Sequence, residues 1–182
     1  MNYKQLKDSM AKAIANHPSD FEAYNDLFDL CRECESEQFD TAHSWNHELR
    51  NLVVSGMLRV VHQGNFKEAD KFNNLLFRSL LFGAPHFFDD YLQAVEFGKP
   101  FDKEFYKPRR HYLKRYVDAY QEILDGKLDV LSISMPKRCG KSQLGINFTT
   151  MLSGKYPEKS TLMEGTGDDL VKSFYLGCLE YL

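Results

Sequence analysis

The run Leu128-Asp129-Val130-Leu131-Ser132-Ile133-Ser134, followed at once by Met135-Pro136-Lys137-Arg138-Cys139-Gly140-Lys141-Ser142, decides how this chain is read. Its first seven residues form a short β-rich run, which predicts a strand. A loop from Met135 to Gly140 follows, and then a helix from Lys141 to about Ser153. A loop that grips phosphate needs small residues, so that backbone N–H groups can approach oxygen atoms. It also needs a helix N-terminus behind them, a Lys for charge and a hydroxyl for magnesium. Gly140, Lys141 and Ser142 supply these in order. Past a turn at Gly154-Lys155-Tyr156-Pro157, Ser160 to Glu164 reads as a second strand. Strand, helix, strand predicts a βαβ unit with parallel strands. Asp168 and Asp169 stand where a last helix begins, and acids favour the positive end of a helix dipole.

The loop departs from the common G-x-x-x-x-G-K-[ST] pattern, because its first Gly would fall at position 135, which is Met. Pro136 offers no N–H and pushes Met135 toward extended geometry, so the loop leaves the strand in its own way. Lys137 and Arg138 add two positive charges, and Arg138 is placed to reach a γ-phosphate, the role of an arginine finger supplied in cis. The expected ligands are ATP and Mg2+. Arg138 and Lys141 are the candidate catalytic residues and Ser142 the candidate metal ligand. Lys137, Arg138, Cys139, Gly140, Lys141, Ser142 and Gln143 are the candidate nucleotide-binding residues, with Arg109 and Arg110 beside them. A chance Gly-Lys-Ser at a helix start is the plain alternative; the β-rich run before it and the second strand after it argue against that.

Upstream the grammar is different. From residue 2 to about residue 98 apolar residues recur three and four apart, predicting helices at about 2–16, 20–37, 41–63, 66–82 and 86–97. Pro18, Gly64, Gly83 and Pro85 punctuate them, and Ser19, Asp40 and Asn65 are candidate N-caps. Residues 99–108 carry two prolines and no period, as a linker does, and a helix from Arg109 to Leu124 follows. The expected organisation is an α-helical domain over 1–98, a linker over 99–108, and over 109–182 the beginning of an α/β P-loop NTPase domain. At 182 residues and 43% hydrophobic content the chain has material for one real core and a small second one. No apolar stretch reaches the roughly 20 residues a membrane-spanning helix needs, and the start lacks a secretory pattern, so an intracellular protein is expected.

The net charge of −3 hides an asymmetry. Between Lys99 and Arg115 seven Lys or Arg face two acids, a local excess of five positive charges. Arg109 and Arg110, with Phe105, Tyr106 and Tyr112 nearby, are the best candidates there for contact with DNA or nucleotide; a solvated linker and helix start is the competing reading. The four cysteines are too few and too uneven for a disulfide framework. Cys31-x-x-Cys34 with His43 and His47 imitates a zinc finger, but the spacing is short and no hairpin carries the thiols, so these residues read as helix faces. Phe87-Phe88-Asp89-Asp90 lies in helical sequence before the loop and reads as structural.

Three segments together resemble the ATPase domain of the large terminase subunit of tailed bacteriophages, a DNA-packaging motor. They are Pro108-Arg109-Arg110-His111-Tyr112-Leu113, Ser134-Met135-Pro136-Lys137-Arg138-Cys139-Gly140-Lys141-Ser142, and Met163-Glu164-Gly165-Thr166-Gly167-Asp168-Asp169-Leu170. That family often carries a Pro-x-Arg-x-Gly-Lys-Ser form of the loop, which Pro136, Arg138, Gly140, Lys141 and Ser142 fit. The resemblance covers residues 109–182 and implies that Lys141 and Ser142 bind phosphate and magnesium. It also implies that Arg138 couples hydrolysis to motion, and that the start of the 109–124 helix lies near the adenine end of the site. Double-stranded DNA, the portal protein, the small terminase subunit and a ring of further copies are the partners it implies, in the host cytoplasm. An ATPase of this kind also needs an acidic magnesium and water-activating pair on a later strand, and terminases add a nuclease domain. Neither is found here, so the chain is expected to be the N-terminal piece of a longer protein and inactive in hydrolysis alone. A helicase-like or other P-loop ATPase is the rival among enzymes; the rival of another class is a helical interaction module whose loop merely holds nucleotide.

Overall fold

The computed structural model describes residues 2–181 and divides the chain into two compact units, Met1–Gly83 and Ala84–Leu182. The first unit holds α1 (Tyr3–Asn16), α2 (Phe21–Cys34), α3 (Phe39–His62) and α4 (Phe66–Gly83). The second holds α5 (Phe88–Val95), two 3₁₀ turns (Phe101–Lys103 and Lys107–Arg109), α6 (Arg110–Leu124), α7 (Lys141–Lys155) and α8 (Asp168–Leu179). The division falls at Gly83, ahead of the expected linker over 99–108; α5 and that segment belong to the second unit.

In the first unit the buried residues of α3 include Ala42, Asn46, Leu49, Val53, Gly56 and Val60, a 4-3-4-3-4 spacing that turns one continuous stripe inward. This stripe packs against α2 and α4, whose own inward faces carry Tyr24, Leu27, Phe28, Phe72 and Leu75. Asn46 is fully buried yet satisfied. Its Nδ2 donates to the Ser79 carbonyl at 3.0 Å and its Oδ1 accepts from the Ser79 hydroxyl at 2.7 Å, tying α3 to α4. Asp20, and not the expected Ser19, caps α2, accepting from the N–H of Glu22; Asn65 accepts from that of Glu68 at the start of α4 as expected; Asp40, expected as a cap, lies inside the first turn of α3, whose N-cap is Gln38. Cys31 and Cys34 are buried in this core. Burial, with Cys34 and Glu48 nearby, pushes the Cys31 thiol up to about 12, which suits a packed side chain and not a thiolate ligand. All four cysteines are free.

The second unit is built on Phe88 and Leu92 of α5, Leu113 and Val117 of α6, and Leu144, Phe148 and Met151 of α7, with Tyr106 buried among them. The Phe88 ring meets Phe148 edge-on at 5.2 Å and Tyr120 at 5.5 Å. Gln121 of α6 fastens the start of α5, accepting from the Phe88 N–H at 2.8 Å and donating to the His86 carbonyl at 3.0 Å. α8 lies close on α7 because Gly177 faces Ile146, 2.7 Å from where a Cβ would stand, and Gly145 faces Phe174, where a Cβ would be tight at 3.2 Å. The Phe-Phe-Asp-Asp string is structural: Phe88 is in the core, and the Asp89 carboxylate accepts from Arg110 Nε at 3.0 Å and Nη2 at 2.8 Å and from the Tyr106 hydroxyl.

The expected α/β class is overturned. No strand and no sheet occur among the described residues, and the parallel βαβ unit of a P-loop NTPase is not formed. Residues 129–139 and 160–166 make no backbone–backbone hydrogen bond, and Val130 and Leu162 are 82% and 84% exposed. β-propensity is a preference for a pleated, half-buried surface with neighbours on both sides. These two runs have no ladder partner, and α7 between them covers α5 and α6 with its apolar face, not a sheet. No described helix is long and apolar enough to cross a membrane.

Two outcomes follow. A Cβ at Gly56 would stand 2.7 Å from the Phe72 ring and 3.0 Å from the Tyr24 hydroxyl, and Phe72 is locked edge-on against Phe21 and Tyr24. Gly56→Ala gains about 1 kcal/mol of helix propensity and loses roughly 1–3 kcal/mol to overpacking, so denaturant melts are expected to show no stabilisation and a net loss of up to about 2 kcal/mol. Burial raises the Asp89 pKa, but the bonds from Arg110 and Tyr106 outweigh it and hold the carboxyl below the usual range. A carboxyl depressed on folding adds stability above its unfolded pKa, about 3.9, and loses it as pH falls through the lower folded value. Melts of the wild type are therefore expected to weaken below about pH 4, whereas Asp89→Asn is less stable at neutral pH by about 2 kcal/mol and lacks that part of the acid dependence.

Candidate phosphate-binding site

At the N-terminus of α7 the backbone turns through two left-handed residues, Arg138 (φ 66°) and Gly140 (φ 95°, ψ 11°). Gly140 takes this conformation freely, but Arg138 takes it at a cost of roughly 1–2 kcal/mol. Strain of this sort in a non-Gly residue marks a loop shaped for something other than stability. Gly140 is the N-cap and no side chain caps the helix. The N–H groups of Lys141, Ser142 and Gln143 accordingly make no hydrogen bond among the described residues, and they stand at the positive end of the α7 dipole.

An open cavity of about 550 Å³ lies over this turn. It is lined by the loop residues Met135, Pro136, Lys137, Arg138 and Gly140 and by Lys141, Ser142 and Gln143 of the first turn of α7. Phe105 and Arg109, from before α6, complete the wall. The Phe105 ring lies so close to the Gly140 backbone that a Cβ there would be 2.5 Å from it. Arg109 donates from Nη1 to the Phe105 carbonyl at 2.9 Å, and its guanidinium stands 5.6 Å from the Phe105 ring centre. Gln143 is within 3.3 Å of the Tyr181 hydroxyl, to which its amide donates.

Seven of the nine sequence-derived site residues thus line one cavity: Arg109, Lys137, Arg138, Gly140, Lys141, Ser142 and Gln143. Cys139 is half-buried and does not line it, and Arg110 is turned to Asp89, a partner with which it forms two hydrogen bonds. Phe105, Met135 and Pro136 complete the lining. Phe105 carried a signal in the sequence only as one aromatic in a basic stretch.

The electrostatics are one-sided. Four cationic side chains, Arg109, Lys137, Arg138 and Lys141, reach the cavity and no carboxylate lines it. Lys137, Arg138 and Lys141 make no ion pair or hydrogen bond with another described residue. Their charge is unmatched within the unit, which fits a strongly anionic ligand. For Mg2+ the side chains lining the cavity offer the Ser142 hydroxyl and the Gln143 amide oxygen, so an ion held there takes most of its ligands from phosphate oxygens and water. No protein-family model, curated protein or solved structure matches this chain, and the functional reading rests on the loop and its cavity.

Proposed function

We propose that the cavity over α7 holds the phosphates of a nucleotide, ATP with Mg2+ foremost. In this reading the chain is the ATP-binding part of a phage large terminase subunit that packages double-stranded DNA. The observation that carries it is the coincidence of an uncapped, left-handed helix start at Gly140 with Lys141, Ser142 and three further cations around one cavity. The free N–H groups of Lys141, Ser142 and Gln143 cradle phosphate oxygens, Lys141 and Arg138 neutralise them, and Ser142 meets the metal. The portal protein, the small terminase subunit, ring formation and the host cytoplasm come with the terminase resemblance alone.

In this reading the acidic pair that activates water in such ATPases is not part of the cavity lining, and the chain is proposed to bind nucleotide as an incomplete motor unit. The rival reading, a helical interaction module with a nucleotide-holding loop, draws on Val54, Leu58 and Val61, which are exposed on one face of α3. The loop's own behaviour tests the phosphate reading. Wild-type chain is expected to bind a magnesium-bound, non-hydrolysable ATP analogue in calorimetry and to show no ATP turnover. Lys141→Ala is expected to lose at least about tenfold in affinity with an unchanged helical spectrum, since a charge-assisted phosphate contact is removed; unchanged affinity in the folded variant sinks the assignment. Gly140→Ala both forces a left-handed Ala and drives a Cβ into the Phe105 ring. It is expected to lower stability by about 1–2 kcal/mol or more and to weaken binding together with it.

A further inference from the structure

We propose that Glu96 is the positioning residue of this site, setting the Phe105 and Arg109 wall through the backbone; the inference rests on the cavity being the phosphate site. Glu96 follows the last residue of α5 and is 5% exposed. Its Oε1 accepts from the N–H of Phe105 at 2.9 Å and of Tyr106 at 2.5 Å, and its Oε2 accepts from the N–H of Lys107 at 3.0 Å. Three successive backbone donors therefore converge on one buried carboxylate brought from another helix. A charged acceptor makes each of these bonds stronger than a neutral one would.

The peptide planes so fixed are the ones that shape the cavity wall. The Phe105 carbonyl accepts from Arg109 Nη1 at 2.9 Å, and the Arg109 N–H donates to the Tyr106 carbonyl at 2.9 Å. Glu96 holds Phe105 and Tyr106 by their N–H groups, and Arg109 is held by their carbonyls. On the other side the Phe105 ring lies against Gly140, so the same clamp braces the left-handed turn of the loop. Glu96 does not line the cavity; it acts through Phe105 and Arg109. A local cap of the following 3₁₀ turn needs one bond from a residue beside it, whereas this carboxylate makes three across nine to eleven residues of chain.

Glu96→Gln keeps one carbonyl oxygen for Phe105 and Tyr106 but turns an NH2 group toward the Lys107 N–H, setting donor against donor. The experiment is a double-mutant cycle on the full chain. Affinity for inorganic tripolyphosphate and for the magnesium-bound ATP analogue is measured for wild type, Glu96→Gln, Arg109→Ala and the pair, at a temperature where each keeps its helical spectrum. Each single variant is expected to bind roughly tenfold more weakly, the scale of one charge-assisted contact, and the pair by clearly less than the product of the two single losses. Wild-type affinity in folded Glu96→Gln, or losses that multiply in the pair, overturns the positioning role. Failure of the wild type to bind either probe removes the phosphate reading itself, so the two failures are told apart. A measurement without any variant keeps the test open if Glu96→Gln does not fold. Amide exchange at Phe105, Tyr106 and Lys107 is expected to slow when tripolyphosphate binds the wild type, and unaltered exchange in the bound state contradicts the clamp.

Discussion

The packing of α7 on α5 and α6 is the contact on which the site depends. Leu144 and Phe148 bury one face of α7 against Phe88 and Tyr120, with ring centres 4.6 to 5.2 Å apart around Phe148. That face fixes the helix axis, and the axis fixes where its uncapped N-terminus points. A helix so anchored presents Lys141, Ser142 and Gln143 as a rigid set of donors; the arrangement needs no sheet behind it. α8 adds a second support along the other side, made close by Gly145 and Gly177.

Around this fixed end the unit concentrates what ordinary packing would avoid. Arg138 is held left-handed, Gly140 has an aromatic ring against its backbone, and four cations share one cavity without a carboxylate. Elsewhere in the same unit several cations stand beside an acid: Arg110 with Asp89, Lys107 with Glu104, Lys127 with Asp125. The clustering of four cations at one helix start gives the loop its chemistry. Unmatched positive charge beside free N–H groups lowers the energy of a bound polyanion, and matched charge around it holds the wall in place.

The helices were legible in the sequence because each carries its own periodic signal. The apolar spacing along α3, the Asn65 cap and the acids opening α8 all act within a few residues, and the structure places helices where the spacing predicts them. The two strands were misread for the complementary reason. Leu128 to Ser134 and Ser160 to Glu164 have the composition of strands, but a strand exists only with a partner, and partnership is a tertiary fact that a short run does not encode. The helix start at Lys141 is found where expected because its signal, Gly140-Lys141-Ser142, is local, but the two strands that argued against a chance tripeptide are not formed. Arg110 and Glu96 mark the limit of such reading. The sequence offered Arg110 for the site, yet Asp89, 21 residues away, takes its guanidinium. Glu96 ends an unremarkable amphipathic helix, and its grip on the backbone of residues 105–107 leaves no trace in spacing.

In the proposed function the first-turn N–H groups of α7 receive phosphate. Amide chemical shifts of the 15N-labelled chain, followed while inorganic tripolyphosphate is added, address this most directly. Saturable shifts centred on Gly140, Lys141, Ser142 and Gln143, with smaller ones at Phe105 and Arg109, are the result the account predicts. Shifts confined to other surfaces, such as the exposed side of α6 around Arg115, or no saturable shift at all in the folded chain, would contradict it.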